Sequence, residues 1–72
     1  MADKKQSVPP LAILRRRQVE QRVGLKRSTI YQQIAAGTFP APIPLGSRSV
    51  GWLSHEIERW LSDRVAAREA AK

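Results

Sequence analysis

Three prolines at alternate positions constrain this chain more than any other feature. Pro40, Pro42 and Pro44 lie near the middle of its 72 residues. Proline lacks an amide donor and has a fixed φ angle, so no helix crosses this segment and any strand within it lies at the edge of a sheet. Helices are therefore expected before and after residues 40–44, with extended chain between them.

Two short helices are predicted before the prolines, over residues 16–23 and from Arg27 or Ser28 to Ala36. Their apolar residues are four apart, at Val19 and Val23 and at Ile30 and Ile34. This spacing places the side chains on one helix face. Gly24 and Gly37 follow the two segments and are typical of helix ends. Two helices joined by a short turn with glycine indicate a helix-turn-helix.

The outer face of the second helix carries small and amide side chains. At 100° per residue, the face opposite the isoleucines contains Ser28, Gln32, Ala35 and Ala36, with Thr29 beside it. In a helix-turn-helix, the second helix enters the major groove of DNA and its first residues meet base edges. The sequence therefore predicts a recognition helix that begins near Arg27.

A β-hairpin and a third helix are predicted after the prolines. Residues 43–45 and 50–52 flank a turn at 46–49, and a hairpin in this place is a wing with Arg48 near its tip. Ser54 is a favourable N-cap residue for the last helix. The apolar positions of that helix are Ile57, Trp60, Leu61 and Val65. Trp52 and Trp60 are expected in the core. The predicted fold is mainly α with a small β-hairpin wing, a winged helix-turn-helix.

The predicted domain occupies residues 11–66. Residues 1–10 are polar, end in two prolines and are expected to form a flexible tail. Leu11, Ile13 and Leu14 form an apolar lead-in that covers one side of the core. Residues 67–72 are expected to fray.

The positive charge is concentrated before residue 51. The formal net charge is +7, and residues 1–50 hold nine Lys and Arg against two acids, whereas residues 51–72 hold four of each. Six basic residues and one acid fall within residues 15–27. Such a block is the electrostatic footprint of a polyanion partner, although a charge run alone can also be a solvated face.

Several classes of protein are excluded or disfavoured by composition. The chain has no cysteine and a single histidine, His55, so neither a disulfide nor a Cys/His zinc site is available. There is no apolar stretch of membrane-spanning length and no secretory signal pattern, so a cytoplasmic protein is expected. No nucleophile–base pair, no carboxylate pair in an identifiable cleft and no glycine-rich phosphate loop is present, so we predict no enzyme activity, no catalytic or metal site and no cofactor.

Several strings of the sequence resemble one family in order and without a large gap, over about residues 13–65. They are Leu14–Glu20, Gly24–Tyr31, Gly37–Pro40, Pro42–Gly46, Arg48–Trp52 and Glu56–Leu61. Together they resemble the AlpA family of phage and prophage regulators, which is related to excisionases and to the MerR-type winged helix. The chain departs from the family pattern at Lys26, where a serine is usual, and at Gln32 and Gln33.

The resemblance implies a prokaryotic or phage-encoded protein that binds double-stranded DNA and regulates transcription. It places Arg27, Ser28, Thr29, Tyr31 and Gln32 in the recognition helix and Arg48 in the wing. Arginine and glutamine suit guanine and adenine edges in the major groove. Tyr31 is expected either to donate to a phosphate or to cover the edge of the core. We predict that the remaining basic residues lie near phosphates: Arg15, Arg16, Arg17, Arg22 and Lys26.

Two alternatives stay open at this point. One is a recombination directionality factor that bends DNA and recruits an integrase. The other is a basic module for RNA or an acidic protein, which is disfavoured for single-stranded RNA because only 6% of the residues are aromatic. RNA polymerase or an integrase is the candidate protein partner. The chain ends before a long coiled coil, so we expect a monomer that cooperates on repeated sites.

Overall fold

Three helices and three short strands form residues 12–71, the part of the chain that the computed structural model describes. In chain order they are β1 (Ile13–Leu14), α1 (Arg16–Val23), α2 (Arg27–Ala36), β2 (Ile43–Pro44), β3 (Val50–Leu53) and α3 (Ser54–Ala70). This arrangement, mainly α with a small antiparallel sheet, is that of the predicted winged helix-turn-helix. The predicted tail, residues 1–10, lies outside the described residues.

Glycine ends both helices of the helix-turn-helix, as predicted. Gly24 and Gly37 have φ angles of 74° and 79°, the left-handed region that glycine enters without a steric penalty. The amide of Gly24 donates to the carbonyl oxygen of Glu20 at 2.8 Å. The short turn between α1 and α2 therefore follows from the local sequence.

The wing belongs to a three-stranded sheet in the order β1-β3-β2. The predicted hairpin is present, with Ile43 opposite Gly51 and Pro44 opposite Val50. Because β2 is an edge strand, Pro44 is tolerated there without a lost ladder bond. The apolar lead-in is more than a cover for the core, since its residues 13–14 form β1 and pair antiparallel with β3.

The prediction of Ser54 as N-cap of the last helix is wrong. Leu53 occupies the N-cap position, and Ser54 is the first helical residue. The amide of Ser54 donates to the carbonyl oxygen of Ala12 at 2.8 Å, so sheet pairing continues up to the first helical residue. The helix then extends to Ala70, and fraying of residues 67–72 stays a prediction.

One side chain from each main element meets in the core. The buried residues are Val19, Ile30, Phe39, Trp52 and Ile57. Phe39, in the loop after α2, was not predicted there, and its ring packs edge-on against Trp60 at 4.9 Å between centroids. Both tryptophan indoles donate to carbonyls of this loop, Trp52 to Pro40 at 2.9 Å and Trp60 to Thr38 at 2.8 Å. The indoles therefore fix the proline segment on the core.

Two negative findings apply to residues 12–71. No helix there combines the length and apolar character that crossing a bilayer requires. No group of three acidic or histidine side chains in the same range is arranged to hold a metal ion.

Candidate nucleic-acid interface

The amino end of α1, the helix α2 and the wing meet at an open hollow of about 380 Å³. We call it the basic groove. Its lining residues are Arg15, Arg16, Arg17, Arg27, Tyr31, Arg48 and Val50. Six of the eleven predicted contact residues are thus brought together from three elements. No Asp or Glu from the described residues lines the groove, so its potential is strongly positive.

Arg15 connects the helix-turn-helix to the wing. Its Nε donates to the carbonyl oxygen of Val50 at 3.2 Å, and its backbone amide donates to Gln18 Oε1 at 2.8 Å. The first bond spans 35 residues of sequence. No local pattern indicates such a bond, and the sequence predicts only a phosphate contact for Arg15.

The arginines of the groove differ in how far their charge is compensated. Arg16 pairs with Glu20 one turn later at 2.7 Å between Nη1 and Oε2. Arg17 and Arg48 are exposed. The pair is only partly buried, and an ion pair near the surface contributes little stability and is screened by salt, so an incoming anion can compete for Arg16.

The amino end of α2 concentrates positive charge where the helix dipole disfavours it. Lys26 is the N-cap and makes no capping bond with its side chain, Arg27 is the first helical residue, and the first turn contains no acid. Of the two predicted starting points, the helix begins at Arg27 and not at Ser28. Cations at this end oppose the macrodipole by about 0.3–1 kcal/mol each, and a bound anion would relieve that cost.

The outer face of α2 is free of bulky apolar groups. Ser28, Gln32, Ala35 and Ala36 are exposed, and Thr29 is half-buried. The opposite stripe is packed, with Ile30 buried and Ile34 against the core. The two faces of α2 predicted from helical periodicity are therefore correct. The small side chains on the outer face leave room for a close approach to another surface.

Tyr31 lies at the border between the core and the groove. Its side chain is 37% exposed. The ring meets Trp52 edge-on, with centroids 6.4 Å apart and an interplanar angle of 69°. The guanidinium carbon of Arg27 lies 5.9 Å from the centre of the same ring.

Arg22, predicted to lie near a phosphate, is outside the basic groove and paired with the last helix. Its Nη2 lies 2.6 Å from Oε2 of Glu58 on α3, and both side chains are about half exposed. The pair connects the carboxyl end of α1 to the last helix. Arg22 therefore contributes less to the field of the basic groove than its position in the sequence suggested.

A second hollow of about 280 Å³ has mixed charge. It is lined by Pro40, His55, Glu56, Arg59, Trp60 and Asp63. Two carboxylates and one arginine give this surface no complementarity to a polyanion, in contrast to the basic groove.

Comparison with known proteins identifies a matching family and similar proteins from a bacterium and a phage. The family described as "Prophage CP4-57 regulatory protein (AlpA)" matches residues 12–65. The chain is 43% identical over 58 residues to a protein of Escherichia coli (strain K12) described as "DNA-binding transcriptional activator AlpA", covering 72% of this chain and 83% of that one. It is 46% identical over 46 residues to the uncharacterised protein ORF88 of Enterobacteria phage P4, covering 64% of this chain but only 52% of the phage protein.

The family description and the name of the E. coli relative are those of regulators rather than enzymes. The match covers about three quarters of the sequence and runs from the first strand into the last helix. The chain belongs to the AlpA family of prophage regulatory proteins.

Proposed function

We propose that the protein binds double-stranded DNA at specific sequences and regulates transcription in a phage, prophage or other mobile element. The observation that carries this proposal is the basic groove, where arginines from α1, α2 and the wing converge and no Asp or Glu among the described residues belongs to the lining. The name of the E. coli relative supports the transcriptional output. A regulator of this kind acts in the cytoplasm, on the nucleoid.

Two sets of residues have separate roles in this proposal. Arg27, Ser28, Thr29 and Gln32, on the first turns and outer face of α2, read base edges in the major groove. The phosphate contacts orient the protein without reading sequence. They come from Arg15, Arg16, Arg17, Lys26 and Arg48, with Arg22 as a peripheral contributor.

The shape of the interface supports a duplex rather than single-stranded RNA. Proteins that recognise unpaired bases present exposed aromatic rings for stacking. Tyr31 is the one aromatic residue lining the basic groove, and its ring already contacts Arg27 and Trp52. A helix with a small-residue outer face instead suits a major groove about 12 Å wide.

Competition and salt titration test the proposal directly. A site selected from a random duplex library should stay bound in excess random duplex, because α2 discriminates bases. With about four or five phosphate contacts, log K should fall against log[salt] with a slope of roughly −4. Equal competition by random duplex would show that the protein is not sequence-specific, and preference for RNA would support the interaction-module alternative.

Arg48→Ala tests the wing. The variant should bind all duplexes more weakly and flatten the salt slope by about 1, because one phosphate contact is lost. Arg68→Ala is the matched control, since Arg68 is exposed on α3 and lies outside the groove. If the two variants behave alike, the wing does not touch DNA.

The form of the complex also distinguishes the regulatory outputs. We propose a monomer that binds cooperatively at repeated sites and contacts RNA polymerase. A directionality factor would instead bend its site and recruit an integrase. Bending measured by circular permutation of the site, together with the mass of the free protein in solution, separates these two readings.

A further inference from the structure

Tyr31 connects the core to the amino end of the recognition helix. Arg27 and Tyr31 are four residues apart on α2, so their side chains lie on the same helix face. The Arg27 guanidinium carbon is 5.9 Å from the ring centre. The same ring meets Trp52 in an edge-to-face contact.

Trp52 is a rigid support for this contact. It is fully buried, and its indole nitrogen is bonded to the carbonyl of Pro40. An edge-to-face neighbour fixed in this way limits the orientations of the Tyr31 ring. The ring face beside Arg27 is therefore held by the core, although Tyr31 itself borders the solvent.

The Tyr31 ring lies where it can orient the Arg27 side chain. Within residues 12–71 no carboxylate forms an ion pair with Arg27. An arginine side chain has many rotamers, and ordering them on binding weakens the complex. A cation–π contact at an exposed site favours the stacked geometry by roughly two- to fivefold.

We propose that Tyr31 is a positioning residue, which holds the Arg27 guanidinium ready for the O6 and N7 acceptors of one guanine. This inference rests on the proposed function and assigns part of its specificity. It differs from both sequence-based roles of Tyr31, because neither a phosphate bond from the hydroxyl nor simple coverage of the core predicts an effect on base preference.

Three variants separate these roles. Tyr31→Phe keeps the ring and removes the hydroxyl. Tyr31→Leu removes the ring with a residue of good helix propensity. Arg27→Ala removes the guanidinium. Base preference is measured for each by selection from a random duplex library, followed by affinity for the wild-type site and its single-base changes.

The expected pattern is specific. Arg27→Ala should lose discrimination at one base pair by between roughly 5- and 150-fold. Tyr31→Leu should lose discrimination at the same base pair by roughly two- to fivefold, with an unchanged salt slope because no charge is removed. Tyr31→Phe should match the wild type. These are ratios within one folded protein, so a loss of stability does not imitate them.

Other outcomes overturn the inference in distinguishable ways. A uniform loss of affinity in Tyr31→Phe would assign the hydroxyl to phosphate. Unchanged preference in Tyr31→Leu would show that the ring does not position Arg27, and unchanged preference in Arg27→Ala would show that Arg27 does not read a base, while the proposed function would stand in both cases. If the wild type itself showed no preference, the proposed function would fail first.

A measurement without DNA checks the geometry. The δ-methylene protons of Arg27 should show an upfield ring-current shift in the free protein, retained in Tyr31→Phe and lost in Tyr31→Leu. Equal shifts in all three proteins would mean that the ring does not hold the arginine, whatever the protein binds.

Discussion

Trp52→Ala is expected to leave most of the protein unfolded at 25 °C. Trp52 is the largest fully buried side chain, and truncation of such a residue costs about 3–5 kcal/mol. A core of this size rarely provides more than about 3–5 kcal/mol of net stability without a disulfide or metal. Far-ultraviolet circular dichroism during heating should therefore show little of the cooperative transition of the wild type.

Two tryptophan-to-phenylalanine variants show how much of this loss of stability comes from the indole hydrogen bond. Trp52→Phe keeps a ring but leaves the partly buried carbonyl of Pro40 without its donor, at a cost of about 1–3 kcal/mol. Trp60→Phe makes the same change where the side chain is only partly buried, so its midpoint should fall less. A Trp52→Ala protein that melts within a few degrees of the wild type would show that Trp52 does not anchor the core.

Bound DNA offers an additional check on Trp52→Ala. A ligand that binds only the folded state at 100 times its dissociation constant adds about 2.7 kcal/mol of stability. A saturating cognate duplex should therefore restore much of the helical signal of this variant, and an equal concentration of random duplex should restore less.

Gly51→Val is expected to be comparably damaging, for a different reason. A Cβ atom at Gly51 would lie 2.6 Å from Ile13 Cγ2, 3.0 Å from Leu45 Cδ1 and 3.2 Å from the carbonyl oxygen of Leu14. Ile13 and Leu45 are 36% and 43% exposed and have room to turn away. The Leu14 carbonyl belongs to the backbone of β1, so β1 has to move.

The loss of stability should increase with the size of the side chain at position 51. We expect Gly51→Ala to cost about 1–3 kcal/mol, typical of overpacking, and Gly51→Val to cost more and to detach β1 from β3. Urea denaturation measures both. Gly46→Ala is the control, because no atom lies within 4 Å of its Cβ position and its cost should stay within about 0.5 kcal/mol. Equal midpoints for Gly46→Ala and Gly51→Val would contradict this account.

The parts of the fold that the sequence predicts are those set by local chemistry. The glycines at 24 and 37 mark helix ends because their positive φ angles are costly for other residues. The proline segment stays extended, and Pro44 lies on an edge strand, because proline has no amide to donate. The two faces of α2 follow from helical periodicity alone.

The parts that sequence reasoning missed depend on contacts between distant segments. β1 has only two residues, too few for any periodic pattern, and exists because β3 offers it an edge. The pairing of Ser54 with Ala12 moved the start of α3 away from the residue with the best cap chemistry. Arg22 and Glu58 are 36 positions apart, and no sequence rule joins them.

The candidate site also has features that the sequence predicts and features that only the structure shows. Periodicity and charge place Arg27, Gln32 and Arg48 on exposed surfaces, and the resemblance to a family supplies their proposed roles. The bond from Arg15 to the wing and the ring beneath Arg27 are visible only once the sheet is packed against the helices.

The two faces of α2 have a consequence for how such regulators diversify. Arg27, Ser28 and Gln32 are exposed, while Ile30 is in the core, so most of the side chains proposed to read bases lie outside the packing that sustains the fold. Substitutions at exposed positions of this kind usually change stability by less than about 0.5 kcal/mol. A few substitutions on one helix can thus change the operator sequence that is bound. Substitutions of Arg27 or Tyr31 differ from the others, because the contact of Tyr31 with Trp52 connects them to the buried core.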